Sequence, residues 1–220
     1  MQITPFVHRI GNFVNQYLLI DNKELTLIDT GMHVNKNSIL NYVKKLGFQP
    51  TDIKRILITH SDSDHYGAAK DIKAASHCEI WSSRIEAEAI EKGVFSRKIT
   101  TKGVAKLLMA IIEPVIMVSP AVPVSRNIVD GEILPILGGL QVIATPGHTP
   151  GHVSFYMPTE RILFAGDAIK SVGGKPVATT DSTTGDPIQA AASADKLLAF
   201  NPLVIGCGHA FFDFRKKIND

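Results

Sequence analysis

Cysteine is scarce in this sequence, with two residues among 220. Cys78 and Cys207 lie far apart and form no CxxC pair, so the sequence predicts neither a zinc ribbon nor a disulfide framework. The first residues also lack the basic region and apolar run that are typical of a secretory signal. Together these absences favour a cytoplasmic protein.

Long hydrophobic runs and an excess of one charge are missing as well. The longest apolar stretch, residues 106–120, contains Glu113 and Pro114 and is too short to span a bilayer. The 23 Lys and Arg residues nearly balance the 21 Asp and Glu residues, without long runs of like charge. We therefore expect neither a membrane nor a nucleic acid as a partner.

Apolar residues, by contrast, are plentiful, at 45% of the chain. A chain of this length can bury them in one core, and we predict a single domain over residues 1–220. Residues 93–127 break the rhythm of short strands and helices. Their apolar part, residues 106–117, fits either a buried helix packed on the sheet or a helical, lid-like insertion over the site.

Four side chains that can bind metal follow the end of one predicted strand. The apolar run 56–58 reads as a buried strand, and His60, Asp62, Asp64 and His65 follow it within eight positions. Two imidazoles and two carboxylates are costly to bring together unless a cation neutralises the carboxylates and uses the nitrogen lone pairs. A divalent metal does both, so this stretch predicts a metal site rather than a solvated turn.

Three later strands also end in a residue that can bind metal. His148 lies in TPGHTPGH, Asp167 in AGDA and His209 in CGHA. Strand ends on one edge of a sheet can converge although they are far apart in the chain. The recurrence therefore predicts one site built from four loops.

Other polar residues near these loops have more than one interpretation. Asp29, at the end of a strand, fits either a helix cap or an acceptor that holds a ligand histidine. His152, four positions after His148, is predicted to be structural. Tyr66 follows His65 and could hydrogen-bond an oxyanion during catalysis, although an aromatic side chain there also fits packing.

In their order along the chain, these loops resemble those of the metallo-β-lactamase superfamily, including its glyoxalase II and lactonase-like members. The usual first motif of the family, HxHxDH, stands here as the variant HxDxDH at residues 60–65, and the Asp29-Thr30-Gly31 turn also matches. The resemblance covers about residues 15–210. It implies a mixed α/β fold of the α+β kind, a four-layer αββα sandwich with a dinuclear metal site along one edge.

The resemblance also implies a ligand set for two divalent ions. The implied metal ligands are His60, Asp62, Asp64, His65, His148, Asp167 and His209. Asp167 would bridge the two ions, and Asp64 could also orient the attacking hydroxide or accept its proton. We expect zinc. Asp62 stands where the family usually has histidine, and because a carboxylate is a harder ligand than an imidazole, iron or manganese is the alternative.

Hydrolysis by a metal-bound hydroxide is the chemistry that this ligand set predicts. The apolar segment at 104–117 and the lack of a basic patch favour a small-molecule ester, lactone or thioester as the substrate. One alternative is a carboxylate-rich di-iron redox or sensor protein. Another is a binding module whose first metal was lost through the change at Asp62. The sequence is also compatible with a homodimer.

Overall fold

A seven-stranded sheet lies on one side of the molecule. In the computed structural model, which describes residues 1–11, 13–97 and 120–215, the strand order of this sheet is β1 to β7. The strands are β1 (Gln2–Thr4), β2 (Val7–Ile10), β3 (Gln16–Asp21), β4 (Glu24–Ile28), β5 (Ile53–Leu57), β6 (Glu79–Ser82) and β7 (Arg126–Asn127). The strands β1 to β4 pair antiparallel, and β4 to β7 pair parallel.

The second sheet has six strands, in the order β15-β14-β11-β10-β9-β8. They are β8 (Ile133–Leu134), β9 (Leu140–Ala144), β10 (Val153–Met157), β11 (Ile162–Gly166), β14 (Val204–Cys207) and β15 (Phe211–Asp213). Every residue of β10 and β11 is buried, as expected for strands that are covered on both faces. Between β11 and β14 the chain forms a separate hairpin of β12 (Ile169–Val172) and β13 (Lys175–Ala178).

The described helices pack on the outer faces of the two sheets. They are α1 (Lys36–Lys45), α2 (Ser63–Tyr66), α3 (Ala69–Ser76), α4 (Arg84–Ile90) and α5 (Pro187–Leu198), with 3₁₀ turns at His33–Asn35 and Pro50–Asp52. In α1 the buried residues Ile39, Leu40 and Val43 recur at helical spacing and so form one apolar face. Of these helices, none is long and apolar enough to cross a membrane.

Three apolar clusters separate four layers. One, with Leu19, Phe155 and Phe164, fills the space between the two sheets. A second packs α1 and α3 on the first sheet, and a third packs α5 on the second sheet, with Leu197 among its members. This arrangement confirms the predicted αββα sandwich.

The four loops that carry the predicted metal ligands follow β5, β9, β11 and β14. Because β9, β11 and β14 run in the same direction, their carboxyl ends share one edge of the second sheet. The amide N–H of Val153, at the start of β10, donates to the carbonyl of Thr59 and so joins this edge to the loop after β5. The convergence predicted from the sequence is therefore present in the fold.

Some sequence predictions differ from the structure. The apolar run at 133–137 predicts a strand up to the Gly138-Gly139 turn. In the structure the strand ends at Leu134, because Leu137 has a left-handed backbone (φ 47°) and the turn begins early. The hairpin of β12 and β13 was not predicted. Most of the predicted lid-like insertion at 93–127 lies outside the described residues, and the single-domain assignment stays a prediction.

Candidate metal centre

Side chains from the four loops that can bind metal meet in three overlapping groups. Within each group the ligand atoms lie within 4.8 Å of one another. The first donor group is His60, Asp62 and His148, the second is Asp64, His65 and His209, and the third is His60, His65 and Asp167. All seven predicted ligands therefore come together, although their assignment to a bound metal stays a prediction.

Asp29 orients the His65 ring through the nitrogen that points away from the site. Its Oδ2 atom lies 2.8 Å from His65 Nδ1, and since an ionised carboxylate only accepts, the imidazole donates this hydrogen bond. The Nε2 atom of His65 then faces the site and has no hydrogen-bond partner among the described residues. Of the two interpretations of Asp29, the structure confirms the acceptor that holds a histidine.

His60 is held in the same way through one intermediate residue. The hydroxyl of Thr59 donates to Asp29 Oδ2 at 2.8 Å and lies 3.0 Å from His60 Nδ1, which therefore donates to it. The Nε2 atom of His60 is buried and has no hydrogen-bond partner in the described part of the chain. Two buried imidazole nitrogens aimed at carboxylates are the arrangement that a divalent metal satisfies.

Asp167 lies between the histidines at the end of β11. Its Oδ1 atom is 3.4 Å from His65 Nε2, and its Oδ2 atom is 3.7 Å from His148 Nε2 and 3.5 Å from His209 Nε2. Its amide N–H donates to His152 Nε2 at 3.1 Å. This bond uses the His152 lone pair, so His152 has the structural role that was predicted.

Carboxylates surround the histidines of the second donor group and favour positive charge there. Hydrogen bonds to Asp167 and then Asp64 raise the pKa of His209 to about 10. Burial lowers the pKa of His65, but the charges of Asp167 and Asp29 outweigh it and hold that pKa well above its usual value. Carboxylates that stabilise positive charge on neighbouring imidazoles would stabilise a bound divalent cation in the same way. The second and third donor groups therefore fit a divalent metal.

The first donor group has a different environment. Asp62 forms a bidentate ion pair with Arg97, whose Nη1 lies 3.2 Å and 3.0 Å from the two carboxylate oxygens and whose Nη2 lies 2.5 Å from Oδ2. The Nη1 atom is also 3.4 Å from His148 Nε2. A guanidinium thus contacts two of the three donors, and this group does not fit a metal while Arg97 is in place.

A cleft of about 350 Å³ opens above the donors. Five of the predicted ligands line it: Asp62, Asp64, His148, Asp167 and His209. Its other walls include Arg97, Ile169 of β12 and Lys170, which pairs with Asp181 at 2.8 Å. A larger cleft of about 430 Å³ at the β10–β11 turn contains none of the predicted ligands.

Tyr66 is the exception among the predicted site residues. Its side chain has no exposed surface, packs in the apolar cluster beneath the first sheet and does not line the cleft. The predicted hydrogen bond to an oxyanion is therefore wrong, because α2 begins after Asp62 and turns Tyr66 inward while Asp64 faces the cleft. The packing interpretation describes the structure.

Two functional residues gave no signal in the sequence. Glu86 on α4 is fully buried and accepts hydrogen bonds from the amides of Ser61 and Gly151 and from two hydroxyls. In the sequence it looks like one of several acidic residues on an amphipathic helix. Arg97 lies 35 positions from Asp62, and no spacing rule links the two.

Comparisons with known proteins agree with this geometry. Residues 9–209 match the model of the Metallo-beta-lactamase superfamily. The probable metallo-hydrolase YflN of Bacillus subtilis is 31% identical over 216 residues, with 91% of this chain and 81% of the relative covered. The hydroxyacylglutathione hydrolase GloC of Haemophilus influenzae is 28% identical, with 87% of this chain and 82% of the relative covered.

Solved structures with the same fold are more distant in sequence. The B3 metallo-beta-lactamase BLEG-1 has a TM-score of 0.73 at 23% identity, and the alignment covers 98% of this chain and 97% of that one. A Cronobacter sakazakii metallo-beta-lactamase with a HARLDQ motif has a TM-score of 0.72 at 22% identity, covering 94% of this chain and 72% of that one. These likenesses show the fold, and the family match shows the membership: this chain belongs to the metallo-beta-lactamase superfamily.

Proposed function

We propose that this metallo-hydrolase cleaves a carboxylic ester, lactone or thioester bond in a small molecule. The observation that carries the proposal is the pair of buried Nε2 atoms of His60 and His65, which have no hydrogen-bond partner among the described residues and lie near Asp167 where four loops meet. A divalent cation held by these residues would lower the pKa of a bound water towards neutrality and polarise a substrate carbonyl oxygen. Zinc is the metal that we expect.

The side chains around this position have separate tasks. Asp29 and Thr59 keep the two histidine rings in the orientation that presents Nε2. Asp64 lines the cleft, so its carboxylate can orient an attacking water or accept its proton. His60 and His65 are fully buried, and the exclusion of bulk water from their surroundings would strengthen the interaction of nearby carboxylates with a cation.

The substrate class is supported by the cleft and by the relatives. About 350 Å³ is the size of a small-molecule site, which argues against a polymer as the substrate. The name of one relative, hydroxyacylglutathione hydrolase, gives an acylated thiol as its substrate. A thioester is therefore the first compound to test.

The test is a substrate panel on the metal-loaded protein. We would measure hydrolysis of a hydroxyacylglutathione thioester, an acyl lactone, an aryl ester and a phosphodiester. The thioester, lactone or ester should be cleaved, and His65→Ala should lower kcat/KM by at least about 100-fold, since even residues that only orient metal ligands contribute 10- to 100-fold. Cleavage of the phosphodiester alone would refute the proposal.

The matched control is His77→Ala. His77 lies at the carboxyl end of α3, away from the donor groups, and its loss should leave the rates unchanged. If both variants lose activity equally, the effect of His65→Ala is not evidence for a metal-dependent step.

A further inference from the structure

We infer that Arg97 takes the place of a metal ion in the first donor group, so that this chain binds one divalent cation, not two. The inference rests on the proposed function for the cation but concerns the number of ions and the residue that sets it. Asp62 and Arg97 carry the argument, since each is mostly buried, with 9% and 7% of the side chain exposed.

The ion pair of Asp62 and Arg97 has the geometry that is typical of a guanidinium bound to a carboxylate. Two nitrogens of Arg97 reach the two oxygens of Asp62 in a bidentate arrangement. An imidazole at position 62 would offer one lone pair and no negative charge, so it could not hold the guanidinium in this way. The carboxylate at this position and the arginine that faces it therefore form one unit.

Arg97 also covers the other donor on its side of the site. Its Nη1 atom lies 3.4 Å from His148 Nε2, which itself lies 3.3 Å from Asp62 Oδ2. A metal bound to Asp62 and His148 would lie where the guanidinium now is. Two positive charges cannot share that position, so a cation could enter the first donor group only if Arg97 left.

The backbone beside Arg97 is anchored to the same loop. The amide N–H of Ser96 donates to Ser61 Oγ at 2.9 Å, and the hydroxyl of Ser96 donates to Glu86 Oε1 at 3.0 Å. The first bond holds the residue before Arg97 against the loop that carries Asp62, and the second holds it against α4. The ion pair is therefore held by its surroundings as well as by its charges.

The other two donor groups stay open to a cation. Both contain His65, and neither contains Asp62 or His148. A single cation bound through His65 Nε2 can draw on Asp64, Asp167, His60 or His209. The charge that a second metal would bring to Asp62 is already supplied by Arg97.

The experiment is a titration of the metal-free protein with Co²⁺, followed by visible absorption, together with the metal content after Zn²⁺ loading and desalting. The wild type should saturate at one equivalent. Arg97→Ala should saturate at two, because Asp62, His148 and His60 then form an open set of donors. Arg84→Ala removes an exposed arginine from α4 and should stay at one equivalent.

A second variant covers the case in which Arg97→Ala fails to fold because it leaves Asp62 buried without its partner. The double variant Asp62→His with Arg97→Ala removes both charges and should also bind two equivalents. Two equivalents in the wild type, or one equivalent in both folded variants, would overturn the inference and leave the proposed function intact. No binding by the wild type would overturn both.

Discussion

At the scale of single residues, the centre is shaped by groups that do not bind metal themselves. Asp29 reaches two histidines, one directly and one through the hydroxyl of Thr59. A single carboxylate thereby sets the orientation of both buried rings. Its backbone is left-handed (φ 58°), which turns the chain sharply after β4 and directs the carboxylate beneath the site.

Gly208 gives a prediction at this scale. A Cβ atom at this position would lie 2.2 Å from Asp167 Oδ1 and 2.5 Å from His65 Cε1. Gly208→Ala should therefore displace one of these side chains and lower metal affinity by about 10- to 100-fold, as other disturbances of ligand orientation do. Competition with a chromophoric chelator measures the change.

Its control is Gly185→Ala. Among the described residues, a Cβ atom there would meet no atom closer than 3.5 Å, although the residue lies beside the His148 loop. This variant should bind metal like the wild type. Equal affinity in Gly208→Ala and the wild type would mean that the ligands tolerate the displacement.

At the scale of elements, α4 joins three loops. Glu86 accepts hydrogen bonds from Ser61 in the loop after β5, from Ser96, and from Thr149 and Gly151 in the loop after β9. A buried carboxylate without a partner is costly, and these four donors offset that cost. The helix thus sets the distance between two loops that carry metal donors.

Removal of this carboxylate is predicted to be severe. Glu86→Ala leaves two buried backbone N–H groups without an acceptor, at about 1–3 kcal/mol each, so the free energy of unfolding should fall by roughly 3 kcal/mol or more. For a chain of this size that lowers Tm by roughly 6 °C or more. Thermal unfolding followed by circular dichroism measures it.

Glu88→Ala provides the comparison on the same helix. Glu88 forms a solvent-exposed ion pair with Arg84, and such pairs contribute about 1 kcal/mol at most to the free energy of unfolding. Its loss should change Tm by less than roughly 4 °C. Similar losses in the two variants would show that Glu86 is not the residue that ties these loops together.

At the scale of the whole molecule, the donor groups belong to neither sheet alone. His60 and His65 lie in the loop and helix that follow β5 of the first sheet, whereas His148, Asp167 and His209 lie in loops that follow strands of the second. The apolar cluster between the sheets sets their separation. A bound cation would therefore also connect the two layers.

Metal removal should consequently destabilise the entire fold. A ligand at 100 times its Kd stabilises the folded state by about 2.7 kcal/mol, so chelation should lower Tm by roughly 5–10 °C. Differential scanning calorimetry before and after dialysis against a chelator, and again after Zn²⁺ is restored, measures it. An unchanged Tm would argue against a cation that links the layers.

Much of the fold was predictable because its signals are local. The apolar run 56–58 predicts the buried strand before His60. Apolar residues at helical spacing, followed by Gly47, predict a helix over 37–46, which the structure has at Lys36–Lys45. The hairpin of β12 and β13 carries a Gly173-Gly174 turn, but its strands are short and Ile169 is their only buried residue, so the apolar periodicity is weak. Tyr66 was misassigned because sequence proximity to His65 does not say which way a helical residue points.

The sequence by itself determined the donor types and the strand ends that carry them, since these depend on residue identity and local backbone preference. Only the tertiary structure decided which donors are open to a cation. Arg97 lies 35 positions from its partner Asp62, and Glu86 lies 25 positions from its partner Ser61. Contacts of that range depend on how the layers pack. The packing places the Arg97 guanidinium on Asp62 but leaves His65 Nε2 facing Asp167. The first donor group is therefore occupied by an arginine, whereas the groups that contain His65 are open to a cation.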